Sequence, residues 1–176
     1  SNLNIKLPEN SVLIEPKPIP ALDNDVQAIR DALKNPIDSD PLEDLVQSNQ
    51  TVSIVISDIT RPTPNHILVP LIVESLAHVP LENIVIINGT GTHRDQTEDK
   101  LIQMLGEDIV NNIRIVHNHC NDKQTLKKVG HSKYGCDVYL NKDYVDSDFK
   151  IVTDFIEPHF FAGFSGGPKG IMPGIA

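Results

Sequence analysis

Tryptophan is missing, cysteine occurs only twice, and positive charge is scarce: 15 lysines and arginines face 24 acidic residues, for a formal net charge of −9. Each shortage excludes something. Cys120 and Cys136 form no CxxC pair, so neither a disulfide framework nor a thiolate metal site is expected, and both should be reduced thiols. Without a basic stripe the chain lacks the feature that gathers nucleic-acid phosphates, so DNA and RNA are not expected partners. No apolar run approaches the ~18 residues of a membrane-spanning helix. The start, Ser1-Asn2-Leu3-Asn4, has neither the basic nor the apolar region of a secretion signal, so the cytoplasm is the expected location and a membrane is not. No internal repeat or low-complexity tract points to a solenoid or a flexible linker.

What remains is an ordinary globular composition, 39% hydrophobic and 22% charged over 176 residues, long enough for one domain with its own core. Residues 1–20 hold Pro8, Pro16, Pro18 and Pro20 around Val12-Leu13-Ile14, which predicts an edge strand followed by an extended connector. Val26, Ile29, Ala32 and Leu33 recur at helical spacing behind an Asp-Asn cap, predicting a helix from Asp23 to Leu33, and a second short helix fits Pro41 to Gln47.

From Thr51 to Ser57 the chain is β-branched at nearly every position, the pattern of a strand buried on both faces. Thr63 as N-cap and Pro64 in the first turn then predict an amphipathic helix marked by Ile67, Leu68, Leu71, Ile72, Ser75 and Leu76. The unit repeats as a strand over 83–87, a loop through Arg94, and a helix from Gln96 to Leu105 that Gly106 ends. Residues 109–113 add a short turn. Further strands are expected at 113–116, 138–140 and 150–153. Strands alternating with helices predict a layered α/β domain, Rossmann-like, with a mostly parallel sheet flanked by helices. In such sheets ligands gather beyond the carboxyl ends of the strands.

Three loops lie at those ends and carry unusual chemistry. Asp58 and Arg61 follow the first strand: a carboxylate there suits ribose hydroxyls and a guanidinium suits a carboxylate or phosphate, although a turn cap with a surface ion pair explains both equally. Gly89-Thr90-Gly91-Thr92-His93 offers unobstructed amides to an anion and brings a histidine to the same rim. It is neither a GxGxxG nor a Walker loop, and a tight turn needing two positive-φ glycines is the plainer alternative. His159 precedes a stretch of phenylalanines and glycines that ends in Lys169. Its glycines permit close approach to a flat ligand, its phenylalanines could exclude water, and Lys169 could be an amine nucleophile or an anion partner. Two histidines on neighbouring loops suit inversion of a carbon centre, because one takes a proton on one side and the other returns it on the opposite side.

His117, His119 and Cys120 are close enough in sequence to suggest a divalent metal, with no third ligand at a convincing spacing. His66 and His78 on the predicted helix, and His131 in a polar segment, are given no function.

Taken together, Asp58-Ile-Thr-Arg-Pro62, Gly89-Thr-Gly-Thr-His-Arg94 and the run from His159 through Pro168-Lys169-Gly170 to Ile175 resemble the nickel-dependent lactate racemase family, from about residue 20 to the end. The resemblance implies a pyridinium mononucleotide carrying nickel in a carbon-and-sulfur pincer, attached covalently at Lys169. It makes His93 and His159 the acid/base pair, Asp58 a contact to the nucleotide, with Gly89, Thr90 and Gly91 beside it, and Arg61 a group near the substrate carboxylate. The implied reaction is racemisation or epimerisation of a small 2-hydroxyacid by hydride transfer to the cofactor, the histidines acting on the substrate oxygen.

The family's nickel-coordinating histidine lies beyond the lysine, whereas this sequence runs to Ala176. The expectation is therefore an amino-terminal cofactor-binding domain over 1–176, with no metal ligand of its own, a carboxy-terminal domain lacking, and no turnover in isolation. A homo-oligomer is left open. Two other readings stand beside it: a non-catalytic nucleotide- or anion-binding module, and a metalloprotein built on His117, His119 and Cys120.

Overall fold

The computed structural model describes residues 4–176. Four strands form the central sheet: β1 (Val52–Ser57), β2 (Ile84–Gly89), β3 (Arg114–His117) and, after a two-stranded excursion, β6 (Phe149–Val152). They are ordered β3-β2-β1-β6 and every pairing is parallel. β1 therefore sits inside the sheet, with the chain stepping outward through β2 and β3 and then returning to its other side. That reversal is the kind of switch point at which α/β sheets open a crevice.

β1 and β2 need no polar alternation because both of their faces are covered, and β1 is buried along its whole length. Val52, Ile54 and Ile56 of β1 and Ile84 and Ile86 of β2 point to one face. There they meet Val69, Ile72 and Leu76 from α3 (Asn65–Ser75) and its end, Met104 and Leu105 from α4 (Glu98–Leu105), and Ile109 from α5 (Glu107–Asn112). Leu33 of α1 (Asp25–Lys34) and Leu42 of α2 (Leu42–Leu45) close the margin. The opposite face is thinner: Val55, Val85 and Ile87 pack with Ile175, and Tyr144 of α6 (Lys142–Asp146) and Ile171 of α7 (Pro168–Ile171) lean on them.

Several expectations are corrected. Val12, Leu13 and Ile14 form no strand and are 85%, 70% and 90% exposed, because no sheet edge lies beside them to accept pairing. Thr63 does not cap α3; its hydroxyl bonds Ser57 Oγ at 2.7 Å, and the helix begins behind Pro64 without a side-chain cap. His78 lies past the end of α3, where its Nε2 meets the Val46 carbonyl at 2.7 Å. The strand expected at 138–140 is β5 (Asp137–Asn141), and it joins no parallel sheet: it pairs antiparallel with β4 (Leu126–His131). The predicted cap of α1 is present, with Asn24 Oδ1 accepting from the Gln27 amide at 2.9 Å. No helix among the described residues is long and apolar enough to cross a membrane.

Candidate active site

All three loops singled out by sequence converge above the carboxyl ends of β1 and β2. A cavity of about 620 Å³ opens there, and Asp58, Arg61, His93, His159 and Lys169 all line it. Its volume falls in the ordinary range for small-molecule sites.

Asp58 leaves β1 directly and is 4% exposed. Its carboxylate is shared between two protein partners: Oδ1 accepts from the Thr60 hydroxyl at 2.6 Å and the Thr60 amide at 3.2 Å, and Oδ2 lies 2.6 Å from His93 Nδ1. The turn-capping role is thus real, since the Asp58 carbonyl also accepts from the Arg61 amide at 3.1 Å. Arg61 reaches across to Glu157, with its Nη1 3.5 Å from Oε1. At that separation most of the guanidinium's five donors stay available to an anion.

In the second loop only Gly91 has positive φ, at 56°; Gly89 does not, and its need is spatial. A Cβ at Gly89 would lie 3.1 Å from the Ile56 carbonyl and 3.3 Å from that of Gly174. The loop is tied down from both sides: the Gly91 amide donates to the Gly174 carbonyl at 3.2 Å, and the buried Thr90 hydroxyl donates to the Asn118 carbonyl at 2.6 Å. Asn118 and Asn141, also buried, bond each other at 3.2 Å, and the Asn141 amide donates to Ile175. This polar lattice joins the ends of β2 and β3 to residues 174–176.

His159 belongs to β7 (Pro158–His159), which pairs with β8 (Gly163–Phe164) in a miniature hairpin. Its Nδ1 accepts from the amides of Phe161 and Ala162 at 3.2 and 3.3 Å. The expected water seal is not formed: Phe160 and Phe161 at the tip are 103% and 97% exposed, because a two-residue hairpin has no second layer to bury them. Lys169 lies in the first turn of α7, half-buried on the cavity wall.

His117 and His119 do not converge. His117 Nδ1 accepts from the Asn88 side-chain amide at 3.1 Å, and His119 Nε2 sits 3.0 Å from Asp95. Among the described residues no three His, Cys, Asp or Glu side chains cluster as a metal site. Four residues take places at the site that the sequence did not assign to them. Asp154 and Cys120 line the cavity, Glu157 holds Arg61, and Gly174 props the wall. Asp154 follows a strand just as Asp58 does, and that position was the available signal.

A parallel sheet with its crevice at the switch point, floored by strand ends and walled by glycine-rich loops, defines an α/β domain with a cavity of small-molecule size. Residues 1–176 match the family described as lactate racemase N-terminal domain. The chain is 43% identical over 151 residues to the lactate racemase of Lactiplantibacillus plantarum, covering 85% of this chain and 36% of that protein. It is 38% identical over 149 residues to the lactate racemase of Thermoanaerobacterium thermosaccharolyticum, covering 84% and 35%. The solved lactate racemase apoprotein of the latter organism superposes with a TM-score of 0.79 at 35% identity, over 86% of this chain and 36% of that one. A Thermotoga maritima protein shares the fold, with a TM-score of 0.71 at 23% identity over 86% of this chain and 38% of its own. This chain belongs to the lactate racemase N-terminal domain family, and it spans about a third of the length of the curated relatives it matches.

Proposed function

We propose that this domain holds a nickel pincer nucleotide and supplies both acid/base groups of a racemase or epimerase acting on 2-hydroxyacids. The observation that carries the reading is the meeting of Arg61, His93, His159 and Lys169 on one cavity beyond the strand ends. The cavity suits such a cofactor: about 620 Å³ accommodates a mononucleotide, and Lys169 presents its amine from the wall. Gly91, where an added Cβ would meet nothing within 4 Å, leaves room for the nucleotide along the cavity wall.

In this reading Lys169 anchors the cofactor and the loop of Gly89, Thr90 and Gly91 lines the wall beside its nucleotide. The nickel ligand and the second wall of the site lie outside these residues. When bound, the pincer nucleotide supplies the acceptor for the hydride that leaves the substrate carbon. Arg61 orients the substrate by its carboxylate, which fits a guanidinium fork. One histidine would remove the substrate's hydroxyl proton, and the other would return a proton to that oxygen from the opposite side of the carbon. Both oxygens of Asp58 are engaged by Thr60 and His93, so we assign it to His93 rather than to the nucleotide. The free thiols Cys120 and Cys136 suit a cytoplasmic protein.

Incubated with the cofactor, the chain should gain the mass of one nucleotide adduct, and Lys169→Ala should not. If the loaded full-length protein fails to racemise any member of a panel of chiral 2-hydroxyacids, the reading is wrong.

A further inference from the structure

The two histidines on the rim are held through the same ring nitrogen by chemically opposite partners. His93 Nδ1 lies 2.6 Å from Asp58 Oδ2. An ionised carboxylate only accepts, so Nδ1 carries hydrogen and, in the neutral ring, Nε2 is bare. His159 Nδ1 receives two backbone amides, at 3.2 and 3.3 Å. Amides only donate, so here Nδ1 is bare and Nε2 carries the hydrogen.

The settings also differ in how firmly they are built. Asp58 is 4% exposed and is itself fixed through Oδ1 by the Thr60 hydroxyl and amide. The turn that holds His159 carries two phenylalanines with almost their whole surface exposed, so opening it uncovers no packed core.

We propose that Asp58 is a positioning residue which, together with the turn at 160–162, sets the two imidazoles in opposite tautomers. His93 then presents a bare Nε2 as the resting base, while His159 presents Nε2–H and takes a proton only after its turn has released it. The proposal rests on His93 and His159 being the acid/base pair. The step is a proton transfer: the substrate O–H bond breaks, an N–H bond forms at His93 Nε2, and the resulting imidazolium stands beside the Asp58 carboxylate, which stays ionised. For His159 to accept at Nε2, its ring must place hydrogen on Nδ1. That hydrogen would point at the Phe161 and Ala162 amides, so those two bonds must break first.

Two-bond proton–nitrogen correlation spectra of the chain labelled with ¹⁵N-histidine read each tautomer directly. His93 is expected with hydrogen on Nδ1 and His159 with hydrogen on Nε2, and His93 found with hydrogen on Nε2 overturns the proposal without any variant. Asp58→Asn gives the second arm. The Thr60 amide donates, so the carboxamide oxygen stays on Thr60 and its NH₂ turns toward His93 Nδ1. The His93 tautomer should therefore reverse, with the rest of the amide spectrum unchanged.

In the loaded full-length protein the same variant should lower kcat by about 100-fold or more, as losing a catalytic imidazole's tautomer does elsewhere, with KM little altered. An unchanged kcat in Asp58→Asn, where His93→Ala abolishes activity, would sink the positioning role alone. Full activity in His93→Ala would instead sink the acid/base reading beneath it.

Discussion

The two faces of the central sheet are built to different standards. On one, among the described residues, fourteen buried side chains from β1, β2, the helices α3, α4 and α5 and the segments that adjoin them form a continuous apolar core. On the other, four buried residues do the same work. The Ser53 hydroxyl there is buried without a hydrogen-bond partner, and cohesion comes largely from the polar lattice of Thr90, Asn118 and Asn141. The thin face is the one on which α7 carries Lys169 to the cavity. The main apolar core and the Lys169 wall of the candidate site thus lie on opposite sides of one sheet, and a wall held by hydrogen bonds and backbone contacts can be remade without dissolving the core.

The largest blow to that division should come from the thick face. Ile54 is fully buried among α3 and its neighbours, and Ile54→Ala should cost about 2–5 kcal/mol of unfolding free energy. Ile175 is also fully buried, but within the four-residue cluster, so Ile175→Ala should fall at the low end of that range, near about 2 kcal/mol. Denaturant titration of both decides the matter. Equal losses would mean that the faces contribute alike.

A smaller global effect with a larger local one is expected at Gly174. A Cβ there would stand 2.2 Å from the Gly170 carbonyl oxygen, a clash that no side-chain rotation relieves. Gly174→Ala should displace the end of α7 at a cost of about 1–3 kcal/mol. Hydrogen exchange should rise in residues 168–176 and at the Asn141 amide, which bonds Ile175, while β1 and α3 stay protected. Exchange spreading evenly through the sheet would show that the wall and the core are one unit.

The thick face was also the more legible one in the sequence. Continuous β-branched runs at 51–57 and 83–87 announce strands covered on both sides, and helical spacing announces α1, α3 and α4, because burial imposes period and composition together. The loop chemistry was legible for another reason: in a parallel sheet, position after a strand determines which rim a residue reaches. The misses are contacts between segments distant in sequence. Nothing in Val12-Leu13-Ile14 reveals that no edge awaits it. The strand Leu126–His131 is lysine-rich and exposed, so it shows no core-facing alternation. The pairing of Asp58 with His93 spans 35 residues, and no spacing rule connects them.

The smallest effect should appear at the open end of the sheet, away from the site. Asp148 Oδ2 accepts from the Thr51 amide and hydroxyl, both at 2.8 Å, clasping the start of β6 to that of β1. These bonds, the amide's foremost, hold its carboxyl below the usual carboxylate range. Because the folded-state pKa is the lower one, the clasp stabilises fully above the unfolded value, near 3.8, and is lost as pH falls through the folded value. Asp148→Asn should therefore be slightly less stable than the parent at neutral pH, and their midpoints should converge as the pH drops below about 4. The carboxylate is exposed, so the gap should be modest and should shrink with added salt. A gap that persists unchanged at pH 2 would mean that the aspartate acts through packing rather than charge, and that the thin end of the sheet is held as the thick face is.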